Sequence, residues 1–382
     1  MAQAYRRERA PVNGTDRGAA GDLAAVIGGG GSGRAAAVPL QDARPLPVTL
    51  LVPIRHERVD EGLVAHLGEV RHAVDEVLVV DGSEAAVAGA YRRSLDPTVG
   101  HLPVDPDLRP LRNGKVAGVL TGLRLAGSDV VVIADDDVRH TRATLAELLG
   151  RIDGADAVRP QNHFVARPGA RLPWHARWDT GRTLLNRALG GDWPGTFAVR
   201  SAALHRTGGY DGDVLFENLE LLRTVRAGGG RVVDAPDVFV PRLAPSAAVF
   251  RRQRVRQAYD SFAQPARLGA ELALLPLALL RPRWVPAVLA GAVVAAEVGR
   301  RRHDGRSAFD ATAALWAAPW LVERSVCSWL AVLARARGGV RYSGSTIVVA
   351  AHGERELEAR CRRGELDAPR LRCPDAARPR VS

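Results

Sequence analysis

Three adjacent carboxylates, Asp135-Asp136-Asp137, close the apolar run 129–134. Such neighbours repel one another unless a cation or a salt bridge compensates them. Hard oxygen ligands suit Mg²⁺ or Mn²⁺, which also bind phosphate oxygens. The structural alternative is an acidic turn, or a cap in which Asp137 precedes a helix starting near Thr141. The run alone does not separate the two. Glu217 and Glu220 stand three residues apart and can share one face of a helix, so that either could approach a cleft. Lys115 is the only lysine of the chain, and an ammonium is a generic partner for phosphate as well as an ordinary solvated loop residue. Trp174, Trp178 and Trp193 offer aromatic faces for stacking on a ligand or for core packing. His56, His163 and His175 lack metal-ligand spacing and read as ordinary surface or cleft residues.

These residues need elements that bring them together. Runs 48–52, 76–80 and 129–134 are unbroken, β-branched and apolar. That pattern predicts strands covered on both faces, with crossover helices between them. The runs end in Arg55-His56-Glu57, Asp81-Gly82-Ser83 and the aspartate triplet. An open parallel sheet binds ligands beyond the carboxyl ends of its strands, so the three polar ends are expected to meet at one crevice. The predicted fold class is α/β, a mostly parallel Rossmann-type sheet flanked by helices, with apolar helices after it.

Between Val48 and Tyr259 the order of segments resembles the inverting family 2 glycosyltransferases of the GT-A fold, in their membrane-associated form. Arg55-His56-Glu57 is similar to the nucleotide-side loop of that family, and Val79-Val80-Asp81-Gly82-Ser83 to its second strand end. Asn113-Gly114-Lys115, with Gly118 and Gly122, resembles the segment before the metal loop. Asp135 and Asp137 match the outer members of the D-x-D pattern. Gly195-Thr196-Phe197-Ala198-Val199-Arg200 and Gly208-Gly209-Tyr210 resemble the acceptor-side segments. Phe216-Glu217-Asn218 stands where the family reads Glu-Asp, and Gln253-Arg254-Val255-Arg256-Gln257 is similar to Q-x-x-R-W.

The resemblance implies a nucleotide-sugar donor held by Glu57, Asp81, Lys115, Asp135, Asp136 and Arg256. It implies Mg²⁺ or Mn²⁺ on Asp135 and Asp137, and an acceptor near Trp193, Gly195 and Thr196. Two departures bear on the chemistry. Asn218 replaces the usual aspartate and cannot accept a proton at neutral pH, so Glu217 is expected to be the base; a catalytically degenerate protein is the alternative. Glu220 is expected to be a solvated helix residue near Arg223. Gln257 replaces the tryptophan of the signature, which argues against a processive polymerase. Arg254 fits a diphosphate contact and a membrane-surface charge equally well.

With 382 residues, 46% of them hydrophobic and 25% charged, the chain can bury a sizeable core and is not a disordered polymer overall. Three cysteines exclude a disulfide framework and a four-thiolate zinc site. The net charge of +11 is unevenly spread: residues 251–306 hold eleven arginines against Asp260, Glu271, Glu297 and Asp304. No segment interleaves aromatic and basic residues, so nucleic acid is not an expected partner. The basic stretch instead accompanies apolar runs 272–280, 285–298 and 311–333, a combination that fits an anionic membrane face. The expected organisation is a flexible leader (1–46), a transferase domain (47–264), membrane-associated helices (265–338) and a charged tail (339–382). The leader contains Gly28, Gly30 and Gly33 at G-x-G-x-x-G spacing, but Pro39 interrupts the helix that a dinucleotide site requires. The expected location is the cytoplasmic face of the cell membrane, with a glycan or lipid-linked acceptor. A sugar nucleotidyltransferase, the other α/β alternative, would want a glycine-rich phosphate loop after the first strand, and Pro53-Ile54-Arg55-His56-Glu57 offers none.

Overall fold

A computed structural model describes residues 44–167, 169–342 and 344–365. The leader glycines and Cys373 lie outside the described residues. Strand β1 (Leu46–Ile54) shows why the sheet is covered twice: Val48, Leu50, Val52 and Ile54 enter one apolar layer and Leu51 the other, the period of two of a pleated strand. Helix α1 (Glu61–Val70) starts at Asp60, whose side chain accepts from the Leu63 amide. There follow β2 (Val74–Asp81), α2 (Ala85–Ser94), β3 (Gly100–Pro103), α3 (Gly114–Leu125), β4 (Val130–Ala134) and α4 (Arg142–Arg151). Thr141 caps α4, so Asp137 is not a helix cap.

The domain continues with β5 (Ala157–Val165), α5 (Trp174–Leu189), β6 (Thr196–Arg200), α6 (Ser201–Arg206), α7 (Glu217–Ala227) and β7 (Val232–Leu243). The seven strands run in the order β3-β2-β1-β4-β6-β5-β7, and all pairs are parallel except those of β6 with β4 and β5. This is the mostly parallel, helix-flanked α/β sheet expected from the sequence. Because β6 alone is reversed, its first residue faces the last residue of β4, with Ala134 opposite Thr196. The ends of β1, β2, β4, β5 and β7 and the start of β6 therefore share one edge. Helix α3 lies close on β1: a Cβ at Gly122 would sit 2.1 Å from Leu51 Cδ1 and one at Gly118 2.8 Å from Pro53 Cβ.

Helices α8 (Ala247–Tyr259), α9 (Pro265–Leu280), α10 (Val285–Arg301) and α11 (Ala317–Ala336) follow the sheet. Leu184 and Leu185 of α5 join Ala292, Ala296, Phe309 and Trp320 in an apolar layer of their own. At Gly299 a Cβ would lie 1.9 Å from the Leu184 carbonyl oxygen, so α10 crosses α5 at backbone contact. Among the described residues no single helix is long and apolar enough to cross a membrane. Pro265–Leu280 and the following Pro282–Ser307 pass that test only together, bent by 117°.

Residues 340–362, expected within a charged tail, form structure instead. Strands β8 (Val340–Tyr342) and β9 (Ser345–Ile347) pair, and α12 (Glu354–Arg362) follows. The amides of Leu215 and Phe216 donate to the carbonyls of Val349 and Ala350 at 3.0 and 2.7 Å. Val340, Ile347, Ala350 and Leu357 are buried, and these apolar residues anchor the segment.

Candidate active site

Asp135 is the first residue beyond β4. Its amide donates to the Gly195 carbonyl at 2.7 Å, and the Gly195 amide donates to Asn162 Oδ1 at 2.7 Å. A Cβ on Gly195 would lie 2.2 Å from Asp135 Oδ2, so only glycine allows the acidic loop to rest on the β6 entrance. Asn113 caps α3 by accepting from the Lys115 amide, and its Nδ2 donates to the Val214 carbonyl at 3.0 Å. That link sets the first turn of α3 beside the first turn of α7.

Lys115 consequently reaches both. Its Nζ lies 2.5 Å from Asp135 Oδ1 and donates to Glu217 Oε1 at 2.8 Å and to Asn218 Oδ1 at 3.2 Å. On the other side, Arg242 near the end of β7 donates from Nε to Asp137 Oδ2 at 2.8 Å, and its Nη2 lies 3.4 Å from Asp135 Oδ2. Asp136 turns away from this pair to His56 Nε2 at 2.5 Å. His56 Nδ1 meets the Tyr91 hydroxyl, Tyr91 neighbours His101, and His101 Nε2 meets Asp81 Oδ2 at 2.9 Å. Asp81 is thus joined to the acidic loop by a chain of rings.

Burial works against the charge on Glu217, but Lys115 prevails and holds the carboxyl below its ordinary range. Lys115 is likewise desolvated, and Asp135 with Glu217 raises it above the usual lysine value. For Asp137, burial pushes the carboxyl up to about 6; Arg242 opposes this, while Asp135 and Asp136 add to it. Asp137 Oδ1 is buried without a hydrogen-bond partner. An unsatisfied carboxylate oxygen beside a second carboxylate is the kind of donor set that a hard cation satisfies, so Asp135 and Asp137 fit a divalent metal. Asp260, at the end of α8, is pushed up to about 7 by burial, with Arg256 opposing and Glu217 adding.

Asp81, Lys115, Asp135, Asp136, Asp137 and Glu217 meet at the shared sheet edge. Glu57 is exposed on the loop after β1. Arg256 lies with its guanidinium 5.0 Å from the Tyr342 ring. Trp193 is half-buried, with the Arg159 guanidinium 4.4 Å from its ring and Phe216 edge-on. Thr196, expected on the acceptor side, is fully buried: its hydroxyl donates to the Ile133 carbonyl at 2.8 Å and meets His140 Nε2 at 2.9 Å. As the first residue of a central strand it faces the interior, and no acceptor reaches it. Gly195 is also a support for Asp135.

Arg254 is not free for a diphosphate or a membrane; it is buried and forks onto Asp179 at 2.8 and 3.2 Å. Glu220 is not solvated, since it is fully buried and accepts from the His352 amide and Nδ1 at 2.7 and 2.8 Å. Both are explained by elements the sequence hid, the packing of α8 on α5 and the return of residues 345–352 over α7. Sequence reasoning missed Arg242, the role of His56, Asn162 and Asp260. Arg242 closes the apolar run 238–241, the same strand-end signal that marked Asp81 and Asp135, carried by a basic residue.

Residues 55–207 match the family described as Glycosyl transferase family 2. No curated protein matches the chain significantly in sequence. Among solved structures, the chain resembles a mannosyltransferase of Pyrobaculum calidifontis in complex with GDP-Man and Mn²⁺, at 21% identity and a TM-score of 0.43, over 76% of this chain and 89% of that one. It also resembles glucosyl-3-phosphoglycerate synthase of Mycobacterium tuberculosis in complex with Mn²⁺, UDP and phosphoglyceric acid, at 19% identity and a TM-score of 0.36, over 55% and 74%. A third is mannosyl-3-phosphoglycerate synthase of Rubrobacter xylanophilus, at 19% and 0.36, over 54% and 70%. With that match over residues 55–207, the chain is a glycosyltransferase.

Proposed function

We propose that the protein transfers a sugar from a nucleoside diphosphate to an acceptor hydroxyl by a single inverting displacement, with Glu217 as the general base. The observation that carries this reading is Lys115, which joins Asp135 to Glu217 in one salt-bridged group. The charges at the diphosphate end and at the base are thereby balanced within one group, while the acceptor oxygen attacks the anomeric carbon from the face opposite the diphosphate. Glu217, ionised at neutral pH, takes the proton of the acceptor hydroxyl as that oxygen bonds to the anomeric carbon. The bond from that carbon to the diphosphate breaks, and Lys115 and Arg256 supply positive charge where negative charge grows. A divalent cation, Mg²⁺ or Mn²⁺, held by Asp135 and Asp137 supplies charge stabilisation to the leaving group. Asp81, Asp136 and Glu57 belong to the nucleotide side, and Trp193 to the acceptor side.

Asn218 has a structural use that a carboxylate would lose, because its Nδ2 donates to the Pro194 carbonyl at 3.0 Å. An aspartate there would place an anion against that carbonyl. This favours an active enzyme based on Glu217 over a degenerate one.

Leu277, Leu279, Leu280 and Trp284 are exposed around Arg281 and Arg283. An apolar edge flanked by arginine suits partial insertion into an anionic leaflet, so we place the protein at the cytoplasmic face of the membrane, with a lipid-linked or cell-envelope glycan as acceptor. The test is a panel of nucleotide sugars with Mn²⁺ and membrane extract, with the anomeric configuration of the product read by NMR. Metal-dependent release of nucleoside diphosphate and an inverted anomer are expected. A retained anomer, or no turnover of any donor, would overturn the proposal.

A further inference from the structure

We propose that Arg242 is the resident counter-ion of the Asp135–Asp137 pair, and that a divalent cation displaces it only together with a nucleoside diphosphate, so that metal and donor bind as a coupled pair. This rests on the transferase reading above and adds a role for a residue outside it.

One guanidinium spans the two carboxylates that fit the cation, with Nε 2.8 Å from Asp137 Oδ2 and Nη2 3.4 Å from Asp135 Oδ2. A cation that takes both carboxylates must meet or move that group. The backbone of Arg242 cannot retreat: the Leu243 amide donates to the Asp137 carbonyl and the Arg139 amide to the Pro241 carbonyl, both at 2.8 Å, and Val138 bridges Arg242 itself. Movement therefore falls to the side chain, which is 27% exposed. That side chain also borders a narrow, solvent-open hollow shared with Asn162, Thr183, Asp192 and Trp193, so its way out is toward solvent, on the side where it is already exposed.

Charge fixes the coupling. Asp135, Asp137 and Glu217 carry three negative charges, and Lys115 and Arg242 carry two positive ones. A dication added alone turns this nearly balanced group positive and leaves a displaced guanidinium without a partner. A diphosphate arriving with the cation restores the balance and offers Arg242 oxygens that its planar fork matches in a bidentate way. Each ligand thus raises the affinity of the other, reciprocally.

The experiment is Mn²⁺ binding to the full chain, followed by the EPR signal of free Mn²⁺, first with metal alone and then with saturating UDP, GDP, ADP or dTDP, each tested singly. Native protein and Arg242→Gln are compared, with Arg242→Lys as a second variant that keeps the charge but reaches one carboxylate. For native protein, Mn²⁺ alone is expected to bind at least about tenfold more weakly than with the nucleotide that binds. Arg242→Gln is expected to bind Mn²⁺ alone about tenfold more tightly than native, to lose most of the nucleotide coupling, and Arg242→Lys to fall between. Equal Mn²⁺ affinity in native protein and both variants overturns this inference and leaves the transferase reading standing. Failure of native protein to bind Mn²⁺ with any nucleotide overturns both.

Discussion

Replacing Glu217 by glutamine removes the proposed proton acceptor and keeps its shape, and the structure separates the two costs. Lys115 retains Asp135 at 2.5 Å and Asn218 at 3.2 Å, and the new amide oxygen can still accept from its Nζ. What is lost from stability is the charge assistance of one hydrogen bond, about 1.5–3 kcal/mol at most. What is lost from catalysis is general-base assistance, about 10²–10⁴ in rate or roughly 3–5 kcal/mol on the barrier. Glu220→Gln is the matched control on the same helix. It breaks the anchoring of His352, whose amide and ring both meet Glu220, and is expected to loosen residues 345–362 while leaving kcat within about tenfold of native. The assay is nucleoside diphosphate release at saturating donor and Mn²⁺, with a thermal melt of each protein. If Glu217→Gln keeps more than about a tenth of native kcat, or if Glu220→Gln falls as far, proton removal does not belong to Glu217.

Other perturbations read other parts of the site. A Gly195→Ala change puts a Cβ where Asp135 Oδ2 now lies, 2.2 Å away; calorimetry is expected to register weaker Mn²⁺ binding in a protein with an unchanged circular-dichroism spectrum, and unchanged affinity would contradict the supporting role of Gly195. Lys115, the only lysine, is salt-bridged and held above its usual value, so acetic anhydride is expected to modify it slowly in the folded chain and fast in urea; mass spectrometry finding equal rates would deny the buried network. Burial lowers His66 and His140 to about 3 and His163 to about 4. Since these folded values lie below the unfolded one, the stability they carry is complete above pH 6.5 and is lost as pH falls. Between about pH 6 and 5 these three contribute a loss of about 4 kcal/mol per pH unit, of which Asp137 and Asp260, raised to about 6 and about 7, offset roughly 2. Urea titrations should show stability falling by about 2 kcal/mol per pH unit, and stability that rises as pH falls across that window would be inconsistent with three buried neutral imidazoles.

The fold was legible where the hydrophobic pattern was unambiguous. The strands at 48–52, 76–80 and 129–134 are apolar on both faces because both faces are covered, and their polar ends were enough to locate Asp81 and Asp135 at one edge. Thr196 was misread because position in a motif does not tell which way a strand residue points; the reversed β6 turns its hydroxyl inward to Ile133 and His140. Arg254 and Glu220 were misread because their partners, Asp179 and His352, lie 75 and 132 residues away, beyond any local pattern. Arg242 was missed for a different reason: a basic strand end among acidic ones gives no metal-ligand signal, although it neutralises the very carboxylates that do. Charge in the segment 340–362 is concentrated after Gly353, while the apolar run 347–351 and Leu357 return it to the core.

The paired use of Asp135 and Asp137 is tested most directly by equilibrium binding of a panel of nucleotide sugars to native protein and to Asp137→Asn, in Mn²⁺ and in EDTA. At least one donor is expected to bind native protein about tenfold or more tightly in Mn²⁺ than in EDTA, and that difference is expected to vanish in Asp137→Asn. A donor that binds native protein equally well in both conditions, or retains its Mn²⁺ dependence without the Asp137 carboxylate, would contradict a cation held at the acidic loop.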